Sequence, residues 1–221
     1  QLKQAAAQPG FTAIPMADLT LNVSIENSVR TSLSQNVLAA IPGTTRPEET
    51  IIYTAHWDHL GIDPTLEGDQ IYNGASDNAT GTAGLLALAQ LHTQVPAPER
   101  TVVFLAVTAE ESGLLGSQWY AEHPVYPIAS TVANINMDNM NTVGRTHDVV
   151  VVGAGSSELE EYLVDAAGLQ GRYVQSEPNP ERGYYYRSDH FNFAKVGVPA
   201  LYAESGEDNI EFGRDYGAAQ A

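Results

Sequence analysis

The chain contains no cysteine, and Lys3 and Lys195 are its only lysines. Disulfide frameworks, thiolate zinc sites and cysteine nucleophiles are therefore excluded. Any metal ion must bind to imidazole and carboxylate groups. No apolar run approaches the length of about 18 residues that a membrane-spanning helix requires, so none is expected.

Basic residues are scarce: 10 Lys+Arg stand against 27 Asp+Glu, for a formal net charge of −17. Nucleic acid needs a basic surface that neutralises its phosphates, and anionic lipid attracts polybasic segments. We therefore expect neither nucleic acid nor a membrane as a partner. Most of the acidic residues are expected to form a solvated surface, so the question is whether a few are placed differently.

Hydrophobic residues make up 43% of the chain, which is enough for the core of one large domain. The chain starts at Gln1 without a visible signal peptide, and both ends look cut, so we expect it to be part of a longer protein. Residues 1–18 are predicted to be a linker or the end of a preceding domain. Residues 19–221 are predicted to form one domain that is truncated at its C-terminus.

Residues 20–26 alternate between apolar and polar side chains, which predicts a strand with one solvated face. Beyond them, short apolar runs alternate with segments of helical character. We predict strands at about 35–41, 51–55, 101–107, 131–137, 148–152 and 199–203, and helices at about 79–94, 113–122, 157–168 and 188–195. This alternation predicts an α/β fold, a three-layer αβα sandwich around a mixed, largely parallel sheet.

Three of the predicted strands run into potential metal ligands, and a fourth candidate opens a helix. These residues are His56 and Asp58 after the strand at 51–55, Glu110 and Glu111 after 101–107, Asp138 after 131–137, and Asp77 before the helix at 79–94. Each has a simpler explanation on its own, because an Asp before a helix is typical of an N-cap and paired glutamates are typical of a surface loop. Ligands bind beyond the carboxyl ends of the strands in open α/β sheets, so together they predict a metal site.

The donor set is one imidazole and several carboxylates, which suits a divalent ion such as zinc, manganese or cobalt. It holds more carboxylates than one zinc ion needs. A pair of ions about 3.5–4 Å apart, bridged by one carboxylate, accounts for the surplus.

Five ordered sequence blocks resemble the di-zinc exopeptidase family, whose plainest members are secreted bacterial-type zinc aminopeptidases. Glutamate carboxypeptidase, glutaminyl cyclase and the transferrin receptor are relatives in that family. The blocks are TAHWDHLG (54–61), YNGASDNATGTAGLL (72–86), VTAEESGLLGS (107–117), NINMDNMN (134–141) and YRSDHFNFAKVGVPALY (186–202). The resemblance covers roughly residues 20–205 and implies that 19–221 is a metallopeptidase catalytic domain.

The resemblance also implies a role for each residue of the predicted site. His56 resembles an imidazole ligand of one zinc ion, Asp77 the bridging carboxylate, Glu111 a ligand of one ion and Asp138 a ligand of the other. Asp58 resembles the carboxylate that orients His56, and Glu110 the general base. The candidates for substrate contact are Arg187, His190 and Tyr186, for which a surface arginine and aromatic loop packing are the alternatives.

The chain departs from the family pattern at a second histidine ligand. In relatives this ligand lies downstream of the Ser-Asp-His block, but no histidine follows His190 here. We expect the ligand to lie beyond Ala221, or else the site is incomplete. His190 is a weaker substitute, and His59 is expected at most to lie behind the ligands.

The resemblance implies a metal-dependent exopeptidase, an aminopeptidase that acts on peptides with a free N-terminus and uses two zinc ions. Two alternatives stay open: another amide chemistry on the same fold (dipeptidase, carboxypeptidase or glutaminyl cyclase), and a non-catalytic peptidase-like binding module. A secreted or periplasmic location is implied by the resemblance alone.

Overall fold

The computed structural model describes residues 2–13, 15, 19–142 and 144–220. The chain divides into two compact units, residues 1–33 and 34–221. No helix within the described ranges is long and apolar enough to cross a membrane.

The first unit contains one short helix, α1 (Leu2–Ala6), followed by a turn at Pro9 and Gly10 and by irregular backbone. The strand predicted at 20–26 is wrong, because these residues pair with no strand that the structure describes. The apolar side chains of the alternating pattern are exposed, as Leu21 and Ile25 show at 85% and 80%. Alternation produces a strand only where a partner strand or a core covers the apolar face.

The second unit contains the other elements. The strands are β1 (Val37–Ile41), β2 (Arg46–His56), β3 (Gly61–Ile62), β4 (Ile71–Tyr72), β5 (Arg100–Val107), β6 (Thr131–Asn136), β7 (Asp148–Val151), β8 (Tyr173–Ser176) and β9 (Ala200–Ser205). The helices are α2 (Ala79–His92), α3 (Leu115–Glu122), α4 (Leu159–Leu169), α5 (His190–Lys195) and α6 (Arg214–Gln220). The strands and helices predicted from residue 35 onward are all present, although their ends shift by a few residues.

Seven strands form the main sheet in the order β1-β5-β2-β6-β9-β7-β8. The pairs β5–β2, β2–β6, β6–β9 and β7–β8 are parallel, whereas β1–β5 and β9–β7 are antiparallel. The predicted mixed, largely parallel sheet is therefore confirmed. β3 and β4 form a separate two-stranded hairpin.

Helices cover both faces of this sheet. Successive residues of a strand point to opposite faces, so Leu105 packs with Phe193 of α5 and Phe104 packs in the cluster that contains Leu85 of α2. The two apolar clusters make the layers of the predicted αβα sandwich.

The central parallel strands end side by side at one edge of the sheet. His56, the last residue of β2, pairs with Val107, the last residue of β5, and Thr54 pairs with Asn136, the last residue of β6. The polar segments that follow these strands therefore emerge next to one another, as the rule for open α/β sheets requires.

Candidate metal centre

The first group of candidate ligands consists of His56, Asp77 and Asp138. His56 is 1% exposed, and its Nε2 atom lies 3.0 Å from Asp77 Oδ1 and 3.2 Å from Asp138 Oδ1. Ligand atoms around one tetrahedral zinc ion, at bonds near 2 Å, are about 3.3 Å apart. The three side chains therefore fit a single divalent ion.

A second group shares Asp77 with the first. It consists of His59, Asp77 and Glu111, whose donor atoms lie within 4.8 Å of one another. His59 Nδ1 lies 2.6 Å from Glu111 Oε1. The sequence predicts Glu111 as a ligand but not His59, because a place three residues after His56 gives no sign that the side chain turns back toward Glu111.

The N-terminus of α2 presents Asp77 to both groups. The alternative in which Asp77 only caps this helix does not apply, because the cap is Asn78, whose Oδ1 accepts a hydrogen bond from Gly81 N at 2.9 Å. Asn78 Nδ2 also donates to the carbonyl of Met137 at 3.0 Å, which ties this helix end to the segment that carries Asp138. The Asp77 carboxylate is therefore not used as the helix cap and is available to bind a metal ion.

The backbone turns sharply in the segment after β5 that carries Glu110 and Glu111. Ala109 has the left-handed φ of 54°, which turns the chain immediately after the strand. Glu111 then reaches His59, while the backbone N–H of Glu110 donates to Asp58 Oδ1 at 3.2 Å. Left-handed non-glycine residues are uncommon and occur often at functional sites.

His56 is oriented mainly by backbone. Its Nδ1 lies 3.1 Å from the carbonyl oxygen of Asp58, and 3.8 Å from the Asp58 carboxylate. A ring N–H donated to a carbonyl leaves Nε2 as the atom that faces a metal ion. The Asp58 carboxylate instead holds the backbone of Glu110, so Asp58 connects the segments that carry His56 and Glu110.

Burial and like charge raise the proton affinity of the site. Burial raises the pKa of Glu110 to about 8; His56 opposes this rise, and the negative charges of Asp189, Asp138 and Glu111 add to it. Burial lowers the pKa of His56, but its hydrogen bond to Asp138 and the surrounding negative charge raise it overall to about 10. Such an excess of buried negative charge is what a bound cation compensates.

A chain of buried hydrogen bonds holds Asp138. Ser188 Oγ donates to Asp138 Oδ2 at 2.6 Å, and accepts from Asn136 Nδ2 at 2.8 Å. Asn136 Oδ1 accepts in turn from Thr54 Oγ1 of β2 at 2.7 Å. Sequence reasoning does not single out Ser188, whose only signal is its place in the Ser-Asp-His block.

The three candidates for substrate contact lie in different environments. His190 is fully buried, with its ring 4.9 Å from that of Tyr185 and 5.0 Å from that of Tyr202, so the structure does not bring it to the surface. Tyr186 is 62% exposed, and the exposed Arg187 guanidinium stacks 5.3 Å from the Tyr184 ring. Tyr186 and Arg187 are therefore exposed to solvent, whereas His190 is not.

Residues 36–220 match the sequence profile of peptidase family M28. The chain belongs to peptidase family M28. The match includes every candidate ligand described above, and it confirms the resemblance to zinc exopeptidases.

Among the M28 relatives is aminopeptidase YwaD of Bacillus subtilis, which is 32% identical over 183 residues that cover 81% of this chain and 33% of YwaD. The solved structure of BSAP, a zinc aminopeptidase from Bacillus subtilis, has a TM-score of 0.62 at 26% identity and covers 81% of this chain and 41% of that chain. Glutaminyl cyclase from Porphyromonas gingivalis shares the fold, with a TM-score of 0.57 at 20% identity over 80% of this chain and 65% of that chain. The chain therefore spans about a third of YwaD.

Proposed function

We propose that this M28 chain carries the catalytic site of a metal-dependent exopeptidase, an aminopeptidase that hydrolyses the N-terminal peptide bond. The observation that carries the proposal is the pair of donor groups that share Asp77 and lie beside the half-buried Glu110. The names of YwaD and BSAP as aminopeptidases support it.

The proposed cofactor is a pair of zinc ions, with manganese or cobalt as alternatives. His56, Asp77 and Asp138 would hold one ion, and Asp77 and Glu111 would contribute to the other. Zinc bound in such a site supplies a Lewis acid that polarises a carbonyl group and lowers the pKa of water.

Glu110 is proposed as the general base. Its carboxylate accepts a proton from the water that attacks the carbonyl carbon, and it gives this proton to the amine nitrogen when the C–N bond breaks. The position of Glu110 suits this task, because its carboxyl group lies close enough to His56, Asp138 and Glu111 for their charges to act on it. Asp58 supports Glu110 by accepting its backbone N–H.

The proposed substrate is a peptide with a free N-terminus. A site with this many carboxylates favours an α-ammonium group over a free C-terminal carboxylate, which it would repel. Tyr186 and Arg187 stay candidates for contact with the rest of the peptide, on the resemblance alone.

Hydrolysis of a chromogenic aminoacyl amide, before and after dialysis against a chelator, tests this function. We expect release of the chromophore to stop after chelation and to return when zinc is added. Release that continues at the same rate in a chain shown to be free of metal would contradict the proposal.

The same assay, run with other substrates, separates the alternatives. An N-terminal glutaminyl peptide tests cyclisation, and a peptide blocked at its N-terminus tests carboxypeptidase action. The shared fold with glutaminyl cyclase makes the first comparison necessary. A chain that binds zinc but turns over none of these substrates would favour the non-catalytic binding module.

Export to the periplasm or to the medium is proposed from the resemblance to secreted aminopeptidases. Fractionation of cells that express the native gene tests it, and recovery of the protein only in the cytoplasmic fraction would contradict it.

A further inference from the structure

The second donor group, His59 with Asp77 and Glu111, contains an imidazole that the family pattern does not assign. We propose that His59 Nδ1 is a direct ligand of the second divalent ion, together with the Asp77 carboxylate and Glu111 Oε1. The proposal rests on the metal centre of the proposed function but not on its chemistry.

The first argument is the state of the three donor atoms. His59 Nδ1, Asp77 Oδ1 and Glu111 Oε1 are all buried, and none makes a hydrogen bond of acceptable geometry to the residues that the structure describes. Buried polar atoms without partners are costly, and natural proteins rarely leave them so. The same three residues each offer a ligand atom within 4.8 Å of the others, and one cation that all of them bind explains the missing partners.

The second argument is the contact between the ring and Glu111. His59 Nδ1 and Glu111 Oε1 are 2.6 Å apart, yet the geometry is not that of an N–H donated to oxygen. Two ligand atoms of one zinc ion are about 3.3 Å apart. His59 Nδ1 and Glu111 Oε1 therefore need to move apart by less than the diameter of an atom to bind the same ion.

The third argument is that the His59 ring is held in place by its surroundings. The ring contacts Tyr72 of β4 edge to face, with 6.3 Å between ring centroids. Gly74 also lies against His59, since an added Cβ there would come within 2.9 Å of His59 Cβ and 3.0 Å of its Cγ. Gly74 also has a φ of 63°, so both backbone and space favour glycine beside this histidine. A ligand that is fixed before the metal arrives costs less entropy on binding.

In this proposal, the β3–β4 hairpin and the residues that follow it position the His59 side chain. They place Tyr72 and Gly74 against His59 and so keep the imidazole turned toward Glu111 and Asp77. A role of His59 only as a hydrogen-bond donor that orients Glu111 is the alternative, and the experiments below separate the two.

Zinc stoichiometry of matched histidine variants is the first test. We compare His59→Gln with His123→Gln, in which the replaced ring is exposed and stacks on Trp119 away from the ligand groups. The wild-type chain and His123→Gln are expected to bind two equivalents of zinc in equilibrium dialysis. His59→Gln is expected to keep the tighter equivalent and to lose affinity for the other by about 10- to 100-fold or more.

Direct observation of the metal–nitrogen bond is the second test, and it uses the wild-type chain, so it does not depend on how a variant folds. The chain is labelled with a spin-active nitrogen isotope in its histidine rings and loaded with a spin-active cadmium isotope. One-bond scalar coupling to cadmium is expected at His56 Nε2 and at His59 Nδ1. Coupling at His56 without coupling at His59, or two zinc equivalents retained with unchanged affinity in His59→Gln, would overturn the proposal.

These measurements do not need turnover. If the chain binds two ions through His59 but hydrolyses no peptide, the proposed function fails and this inference stands. If peptide hydrolysis needs zinc but His59 shows no cadmium coupling, the inference fails and the proposed function stands.

Discussion

Ser188 lies between a strand residue and a proposed metal ligand. Its hydroxyl donates to Asp138 and accepts from Asn136, so it fixes the carboxylate without facing the ion itself. Loss of a group that orients a ligand in this way typically lowers metal affinity by about 10- to 100-fold. Ser188 therefore offers a way to measure positioning separately from coordination.

Ser188→Ala is expected to weaken zinc binding by about 10- to 100-fold, because the Asp138 carboxylate loses the donor that orients it. Ser130→Ala is the matched control, since Ser130 Oγ donates to the carbonyl of Pro127, ahead of β6 and at the other end of that strand. Competition with a fluorescent chelator measures both affinities. Equal affinities in the two variants would show that Ser188 does not position Asp138.

The residues that bear chemistry divide into those visible in the sequence and those that only the three-dimensional structure reveals. His56, Asp77, Glu110, Glu111 and Asp138 are visible because each follows an apolar run or opens a helix. His59 and Ser188 are not visible in the sequence, because their contacts depend on where the loop after β2 and the start of α5 lie in the folded chain. The spacing of residues along the sequence does not give these positions.

Among the elements, the segment between β5 and α3 does most to shape the site. Ala109 and Leu114 both have left-handed backbone, with φ of 54° and 62°. The N–H of Leu115 donates to the carbonyl of Ala109 at 3.0 Å, and the N–H of Leu114 donates to that of Glu110 at 2.8 Å. These turns and hydrogen bonds fix the backbone of the loop that carries the two glutamates.

Ala109→Val is expected to destabilise the chain relative to Ala109→Gly, by about 1 kcal/mol or more, because a β-branched residue is strained in the left-handed region and glycine is not. Urea unfolding in the presence of a chelator measures the difference without a contribution from metal. The valine variant is also expected to lose zinc affinity, since Glu111 is displaced. Equal stability of the two variants would contradict the importance of this backbone conformation.

Element ends are less predictable than the elements themselves, for the same reason. The helix predicted at 113–122 begins at Leu115, since the left-handed Gly113 and Leu114 cannot continue a right-handed helix backward. The strand predicted at 20–26 is wrong because periodicity specifies which face would be buried but not whether anything covers it. The start of this helix and the absence of this strand both depend on backbone conformation and contacts that the apolar–polar pattern of the sequence does not specify.

At the scale of the whole molecule, the parallel sheet brings residues that are distant in sequence together in one site. The ends of β2, β5 and β6 bring residues 56–59, 110–111 and 138 to one edge, and the start of α2 adds residue 77. Of the 27 acidic residues, only a few meet there, while the large remainder leaves the chain strongly acidic. The fold class is predictable because strands and helices alternate, whereas the two-stranded hairpin behind His59 is too short to leave a periodic signal.

The most direct test of the account is Glu110→Gln, which preserves the shape of the side chain and removes its ability to accept a proton. In the zinc-loaded chain, kcat for the aminoacyl amide is expected to fall by about 10²- to 10⁴-fold, which is the usual contribution of a general base. The bound zinc and KM are expected to stay unchanged, because Glu110 is not among the proposed ligands. A variant that keeps its zinc and a kcat close to the wild-type value would contradict the assignment of Glu110, and with it the central claim that this acidic edge is a hydrolytic site.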